Sequence, residues 1–254
     1  MGRNSYRNIE EALALEARLR RREAYQQEEV QAAAAGKKTG GKAAKPAAGG
    51  GAGVVRIIGG QWRRTRLAVA QRPGLRPTPD RVRETLFNWL GQDLGGWRCL
   101  DAFAGTGALG FEAASRGAAQ VRLIEQDAAL AQQLERLTQQ LKADAVQVQR
   151  GDGVGALNHS VAGHWHAVFI DPPFAMEALF APALKAAAHA VADDGFVYLE
   201  APKAWDDEVL AAFGLQQHRY LKAGNVHAHL LKKGSSRNVG VVAPQTETAV
   251  TFQA

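Results

Sequence analysis

Cysteine is nearly absent from the 254-residue chain, since Cys99 is its single thiol. One thiol excludes an internal disulfide framework and any zinc site that needs several thiolates, and it fits the reducing cytoplasm. The chain also lacks a run of about 18 apolar residues, so the sequence predicts no transmembrane helix. Its N-terminus mixes Arg and Glu without an apolar stretch, which is not the pattern of a secretory signal.

Positive charge is concentrated in the first part of the chain. The net charge is +6, and residues 54–98 alone carry nine Arg against three acidic residues. Acidic residues are in excess over residues 99–254. Because guanidinium groups match phosphate and stack on bases, a nucleic acid is the first candidate partner. Taken alone, the charge is explained equally well by a protein that is merely basic.

Composition divides the chain into four segments. Residues 1–53 combine a thin helical pattern with a stretch rich in Gly, Ala and Lys, which predicts a flexible basic extension. Residues 54–98 hold the Arg-rich part, and residues 99–233 are predicted to form one α/β domain. Residues 234–254 are polar and without periodicity, which predicts a disordered tail. We expect a monomer, because nothing in the sequence indicates a symmetric apolar surface.

Apolar segments alternate with helical patterns through the α/β domain, which predicts a Rossmann-like, mainly parallel, seven-stranded sheet covered on both faces. An antiparallel strand is expected at its end, and a small β-hairpin (54–58 with 65–69) and a helix are expected before it. The predicted strands are 99–103, 121–125, 146–150, 166–170, 196–200, 216–221 and 226–231, and the predicted helices are 107–116, 128–141, 176–192 and 204–213. Ligands of such sheets bind at the carboxyl ends of the strands.

The helix that follows the hairpin is predicted from capping residues and apolar spacing. Thr78 can cap its N-terminus and Pro79 can occupy its first position. Apolar residues recur at helical spacing from position 82 to position 90. Arg81 and Arg83 fall outside this stripe, so they are predicted to face water or a ligand.

A glycine-rich turn follows the first strand of the domain. Gly105, Gly107 and Gly110 match the pattern G-x-G-x-x-G, which allows a tight turn and a close approach of backbone N–H groups to a ligand. Glu125 ends the next predicted strand, where its carboxylate can accept hydrogen bonds from ribose hydroxyls. These features suit either a dinucleotide or S-adenosyl-L-methionine.

Acidic residues next to the glycines favour S-adenosyl-L-methionine over a dinucleotide. Asp101 and Phe103 give the pattern D-x-F-x-G-x-G, and a carboxylate beside the turn suits a cationic ligand better than a pyrophosphate. Asp152 and Asp171 follow the third and fourth strands and form no phosphate clamp. No metal is expected, because the histidines show no ligand spacing.

The sequence Asp171-Pro172-Pro173-Phe174 follows the fourth strand. Consecutive prolines remove two backbone donors, so carbonyls and a carboxylate are left as acceptors at the strand end. Acceptors on both N–H groups can hold an exocyclic amine as it attacks a methyl group, and Phe174 can stack on the flat base. A rigid turn without chemistry is the alternative interpretation of the motif alone. Glu200 could line the same cleft or belong to a plain turn.

Longer motifs resemble the RsmD family of bacterial small-subunit rRNA guanine-N2 methyltransferases. They are RIIGGQWR at 56–63, LRPTPDRVRETLFNWL at 75–90, DAFAGTGALG at 101–110 and DPPF at 171–174. The resemblance spans about residues 54–233. It implies methyl transfer from S-adenosyl-L-methionine to guanine 966 of 16S rRNA, within the small ribosomal subunit or its assembly intermediate.

The resemblance also implies roles for single residues. Asp171 and the carbonyl of Pro172 would hold the guanine amine, beside Pro173, with Phe174 stacked on the base. The implied cofactor contacts are Asp101, Phe103, Gly105 and Gly107 at the methionine end, Glu125 at the ribose and Asp152 near the adenine. The implied RNA contacts are Arg56, Arg63, Arg64, Arg76, Arg81 and Arg83.

Two alternatives stay open at this stage. An adenine-N6 DNA methyltransferase shares the D-P-P-F motif, although residues 54–98 are few for a target-recognition domain. A non-catalytic ribosome-assembly factor would bind RNA without using Asp171. A cytosine-C5 enzyme needs a cysteine nucleophile, and Cys99 is predicted to lie in the core.

Overall fold

A computed structural model describes residues 54–68 and 78–234 of the chain. The predicted extension at 1–53, the remainder of the predicted tail at 235–254, and Arg76 lie outside the described residues. The described residues belong to one compact unit.

The described residues form strands and helices in alternation. The strands are β1 (Val54–Arg56), β2 (Arg66–Ala68), β3 (Arg98–Asp101), β4 (Gln120–Glu125), β5 (Val146–Arg150), β6 (Trp165–Ile170), β7 (Val191–Ala201), β8 (Leu215–Ala223) and β9 (Val226–Lys233). The α-helices are α1 (Asp80–Leu90), α2 (Ala108–Ser115), α3 (Ala128–Leu141), α4 (Gly153–Asn158), α5 (Phe180–Ala190) and α6 (Asp207–Ala211), and a 3-10 turn (Glu177–Leu179) precedes α5.

Seven strands form one sheet in the order β5-β4-β3-β6-β7-β9-β8. Strand β9 is antiparallel to both of its neighbours, and the other pairings are parallel. The hairpin β1–β2 forms a separate antiparallel pair. The predicted fold class, including the hairpin and the single antiparallel strand, is confirmed.

Both faces of the sheet are covered, because side chains of a strand point alternately to opposite faces. Cys99 and Leu100 are adjacent in β3 and belong to different apolar clusters. The first cluster joins the sheet to the hairpin and to α1, α2 and α3. The second cluster joins the sheet to α4, α5 and α6. The hairpin and α1 therefore share a core with the domain that follows them.

The hairpin docks on α2 through a buried acid and a buried hydroxyl. The backbone N–H groups of Ile58 and Gly59 donate to the two carboxylate oxygens of Glu112, at 2.8 and 2.7 Å. Ser115 Oγ donates to the carbonyl of Gly59, and the carbonyl of Ser115 accepts from Gln61 N–H. The Gly-Gly segment of the RIIGGQWR motif is thus part of a packing interface.

The prediction that Arg83 faces water or a ligand is wrong. Its side chain is buried, with Nη2 2.6 Å from Asp80 Oδ1 and Nη1 3.5 Å from Glu112 Oε2. The buried Glu112 carboxylate needs positive partners, and Arg83 is one of them together with Arg116, whose Nη2 lies 2.8 Å from Glu112 Oε1. The expected apolar stripe of α1 is confirmed, and Arg81 is exposed.

The prediction that Thr78 caps α1 is also wrong. Pro79 occupies the N-cap position, and no side chain caps this helix. The Thr78 hydroxyl donates instead to Asp171, which follows β6 at the sheet edge.

Several predicted boundaries differ from the observed ones. The predicted helix at 176–192 is divided into the 3-10 turn and α5, and the chain enters β7 already at Val191. The register of β7 against β6 shifts between Trp165 and Ala167, because β7 pairs through Val191 and again from Phe196. The predicted helix at 204–213 is the short α6, and α4 was not predicted.

Candidate active site

Three acidic residues meet at the carboxyl ends of three neighbouring strands. Asp101 ends β3, Asp171 follows β6, and Glu200 lies near the end of β7. Ile170 pairs with Leu199, so Asp171 and Glu200 are the next residues of the two strands. Asp101 and Glu200 are buried and Asp171 is half-buried. The edge at which ligands of parallel sheets bind therefore carries three carboxyl groups.

The carboxylate of Asp171 is held between these acids and a hydroxyl. Burial and the charge of Glu200 raise the pKa of Asp171 well above its usual range, and Asp101 adds to this effect. Thr78 Oγ1 donates to Asp171 Oδ2 at 3.1 Å and lowers the pKa. The site thus disfavours the ionised carboxylate, unless donors or a cation stabilise it.

The residues after Asp171 form a turn at the strand end. Pro172 is buried, Pro173 is exposed, and the carbonyl of Pro173 accepts from Met176 N–H at 2.8 Å. Phe174 is half-buried and packs against the apolar cluster on the α5 face. The four residues of the predicted catalytic motif therefore lie together beside β6.

Glu125 is hydrogen-bonded to the glycine turn. Its two carboxylate oxygens accept from Gly105 N–H and Asp127 N–H, each at 2.8 Å. Gly105 and Gly107 have φ angles of 51° and 76°. A Cβ atom on Gly107 would come within 2.6 Å of Phe111, so the turn requires glycine there. The predicted ribose-binding acid and the predicted turn are in direct contact.

Asp101 offers a buried acceptor atom. Its Oδ2 accepts from Gly110 N–H at 3.2 Å, whereas Oδ1 accepts no hydrogen bond of good geometry within the described residues. Burial raises the pKa of Asp101 to about 7, although hydrogen bonds from Gly110 and Phe103 act in the opposite direction. A buried carboxylate oxygen with no hydrogen bond of good geometry fits a cationic ligand, as S-adenosyl-L-methionine with its ammonium and sulfonium would be.

Asp152 lies at the end of β5 and caps α4. Its carboxylate oxygens accept from Val154 N–H at 3.4 Å and from Gly155 N–H at 2.7 Å. The residue is exposed and borders an open cleft of about 280 Å³. Arg122, Gln149, Gly155, Ala156 and His159 also line this cleft.

Most of the predicted RNA-binding arginines are on the surface. Arg63, Arg64 and Arg81 are exposed, and Arg56 is exposed while its Nη2 lies 3.1 Å from Asp80 Oδ2. The prediction that Arg83 binds RNA is wrong, because Arg83 is buried and has a structural role. Arg66 pairs with Arg56 across the hairpin and is exposed as well, although the sequence-based selection omitted it.

Sequence reasoning did not identify Thr78 and Tyr198 as parts of the site. Tyr198 Oη donates to Glu200 Oε2 at 3.0 Å, and burial raises the pKa of Tyr198 well above its usual range. The position of Tyr198, two residues before Glu200 on one face of β7, was the available signal. Thr78 gave no such signal, because it contacts a residue 93 positions away.

Within residues 54–68 and 78–234, no group of three or more His, Cys, Asp or Glu side chains is placed to hold a metal ion. None of the helices in this part of the chain is long and apolar enough to cross a membrane.

The strand order and the position of the site define the class of the fold, which is that of Rossmann-like methyltransferases. A solved structure of a candidate methyltransferase from Escherichia coli superposes with a TM-score of 0.61 at 37% identity, over 72% of this chain and 99% of that one. A candidate methylase from Haemophilus influenzae gives a TM-score of 0.59 at 32% identity, over 72% and 99%.

Residues 55–232 match the family described as "Conserved hypothetical protein 95", and the chain belongs to this family. Ribosomal RNA small subunit methyltransferase D of Escherichia coli K12 is 52% identical over 123 residues, which are 48% of this chain and 62% of that relative. Its Haemophilus influenzae counterpart is 45% identical over 131 residues, 48% and 65% of the two chains. The matched segment thus spans less than two thirds of these relatives. The resemblance to the RsmD family is confirmed.

Proposed function

We propose that the protein transfers a methyl group from S-adenosyl-L-methionine to the exocyclic N2 amine of a guanine in 16S rRNA, at the position corresponding to guanine 966. The observation that carries the proposal is the position of Asp171-Pro172-Pro173-Phe174 beside Asp101 at one sheet edge. The names of the relatives support an rRNA substrate.

Asp171 and the Pro172 carbonyl are the proposed acceptors for the two N–H bonds of the guanine amine. Because the amine lone pair is delocalised into the base, acceptors that favour a pyramidal nitrogen and align it with the methyl group lower the barrier. Phe174 would stack on the base, which has to leave its helix to reach the cleft. The N–C bond would form as the S–C bond breaks, the neutral thioether would be the leaving group, and the amine would release one proton to water.

The residues that would hold the cofactor lie along β3, β4 and β5. Asp101 Oδ1 would accept from the ammonium group, and the Gly105–Gly107 turn and Phe103 would border the methionine part. Glu125 has accepting capacity beyond its two backbone contacts and would bind the ribose, and Asp152 would lie toward the adenine. The bound cofactor supplies a methyl group already activated by the sulfonium charge.

The exposed arginines would bind the phosphate backbone. Such phosphate contacts do not depend on the base sequence of the RNA. The arginines proposed for them are Arg56, Arg63, Arg64, Arg76 and Arg81. The choice of guanine would therefore depend on the shape of the small subunit or its assembly intermediate. The proposed reaction takes place in the cytoplasm with the protein as a monomer.

Nucleoside mass spectrometry tests the proposal. Undermethylated small subunits are incubated with S-adenosyl-L-methionine and the wild-type protein, and new N2-methylguanosine in 16S rRNA is expected. Asp171→Ala should lower the rate by about a hundredfold or more. Asp193→Asn is the matched control, because Asp193 is an exposed acid whose carboxylate binds Lys233.

Two results would reject the proposal. Methyl transfer to adenine in DNA, without transfer to rRNA, would identify an adenine-N6 DNA methyltransferase. The second result is that the wild type and Asp171→Ala bind small subunits equally well and that neither transfers a methyl group. This result would identify a non-catalytic assembly factor.

A further inference from the structure

Thr78 links the Arg-rich segment to the acidic site. Its side chain is buried, with 4% of the residue exposed, and Thr78 Oγ1 donates to Asp171 Oδ2 at 3.1 Å. Thr78 lies directly before α1 and is not part of the sheet that carries Asp171. The hydroxyl is therefore brought to the carboxylate by the packing of α1 and not by the sheet itself.

The position of Thr78 is secured on its other side. Arg83 Nε donates to the carbonyl of Thr78 at 3.3 Å, and the same guanidinium binds Asp80 and Glu112. Glu112 in turn binds the hairpin through Ile58 N–H. A continuous set of hydrogen bonds and ion pairs thus leads from the exposed hairpin to Asp171.

The other groups that face Asp171 are acidic or phenolic. Glu200 and Asp101 act on it from β7 and β3, and the phenol of Tyr198 lies in the same buried group. Two negative neighbours disfavour the ionised carboxylate, and a hydroxyl donor favours it. A carboxyl group accepts a hydrogen bond from an amine most strongly when it is ionised and fixed in orientation.

We infer that Thr78 is a positioning residue for the proposed methyl transfer, on which this inference rests. Its hydroxyl fixes Asp171 Oδ2 and leaves Oδ1 to accept from the substrate amine. The same bond favours the ionised form of Asp171, against the effect of the acids that surround it. Arg83 contributes indirectly by holding the Thr78 backbone.

Three variants test the inference. Thr78→Val removes the hydroxyl and keeps the shape of the side chain, whereas Thr78→Ser keeps the hydroxyl. Thr85→Val is the matched control, because Thr85 donates to the carbonyl of Arg81 on the same helix and does not touch the site. Thermal melting of each variant shows whether the fold is retained.

The first readout is the pH dependence of kcat and KM for methyl transfer. Thr78→Val is expected to lower kcat by about tenfold with little change in KM for the RNA. The loss of the donor raises the pKa of Asp171, so the acid limb of the profile moves to higher pH. Thr78→Ser should restore both kcat and the position of the acid limb, and Thr85→Val should match the wild type in both.

The second readout does not depend on activity. NMR titration of ¹³C-labelled aspartate carboxyl groups follows Asp171 directly, with Asp171→Ala used for assignment. The Asp171 titration should move to higher pH in Thr78→Val and return in Thr78→Ser. If both the titration and the kcat profile of Thr78→Val equal those of the wild type, the inference is overturned.

The two readouts separate the inference from the proposed function. A wild-type protein that methylates no guanine defeats the proposed function, and the NMR titration then still decides whether Thr78 controls Asp171. A shifted titration with an unchanged kcat profile overturns the positioning role, while the proposed function stands. A kcat loss that Thr78→Ser does not restore also overturns it.

Discussion

Arg83 Nη1 lies 3.5 Å from Glu112 Oε2, and the two side chains are 1% and 0% exposed. Burial lowers the pKa of Arg83, and the charges of Asp80 and Glu112 act against this effect. Glu112 also binds Arg116 and two backbone N–H groups of the hairpin. Since buried charges have to be paired, this arrangement joins the hairpin, α1 and α2.

Replacing Arg83 should therefore affect stability. We expect Arg83→Ala to lower the free energy of unfolding by about 3 kcal/mol, because it leaves Glu112 buried with one partner fewer. Arg81 is exposed, so Arg81→Ala should change the free energy of unfolding by less than about 0.5 kcal/mol. The same variant should bind RNA more weakly, and its affinity should depend less on the salt concentration. Urea unfolding and RNA titrations at several salt concentrations check both. Equal stability of the two variants would contradict the structural role of Arg83.

Gly60 permits close contact between the hairpin and α2. Its φ angle is +72°, and a Cβ atom would lie 1.8 Å from the carbonyl oxygen of Ser115. Gly96 has a similar φ of +82°, but a Cβ there would meet no atom within 4 Å. Gly60→Ala should thus be more destabilising than Gly96→Ala, for which about 1 kcal/mol of backbone strain is expected. The difference in unfolding free energy measures the steric part, and a difference near zero would show that the hairpin moves away from α2 at no cost.

The sheet and the site edge could be predicted from local sequence patterns. Short apolar segments alternating with helical patterns determine the parallel sheet, and the carboxyl ends of its strands are a known ligand-binding edge. Asp171 comes immediately after the predicted strand at 166–170, and Asp101 and Gly105 lie near the end of the predicted strand at 99–103, so the rule places all three at the same edge. The position of a residue at a strand end depends only on the order of strands and helices, and the periodicity of short segments is enough to predict that order.

Contacts between distant segments could not be predicted in this way. The periodicity of α1 places Arg83 away from its apolar stripe, but it does not show that Glu112, 29 residues later, lies buried on the other side. The Thr78 hydroxyl was assigned to the helix N-terminus, because capping is a local rule. Its partner Asp171 is brought close only by the packed fold. Buried polar partners are therefore the part of the site that sequence patterns missed.

Asp101 should make stability depend on pH. Its pKa is raised from 3.8 to about 7 by burial. Between these values the folded protein keeps a proton that the unfolded chain has released, so stability falls as the pH rises and then stays low above about 7. Asp101→Asn removes this dependence and should be more stable than the wild type at pH 8, by a difference on the order of a few kcal/mol.

Unfolding of both proteins from pH 4 to pH 8 measures this contribution. Asp101 also raises the pKa of Asp171, so both proteins carry Asp171→Asn, and the difference between their unfolding free energies then reports on Asp101. That difference should be small at pH 4, where the protonated carboxyl resembles an amide, and should grow toward pH 8. A difference that is constant with pH would show that the pKa of Asp101 is not raised in the folded state.

Cys99 provides an independent report on the opening of the core. It is the only cysteine of the chain, its side chain is fully buried in β3, and burial raises the pKa of the thiol to about 12. Because the thiolate is the reactive form, the native protein should react with a disulfide reagent such as DTNB only when β3 opens. Labelling should therefore be slow at pH 8 and become fast and stoichiometric in denaturant. Arg83→Ala should accelerate labelling in native buffer, by about tenfold for each 1.4 kcal/mol of stability that it loses, whereas Arg81→Ala should not. Fast labelling of the native wild type would place Cys99 outside the core and would reopen a chemical role for it.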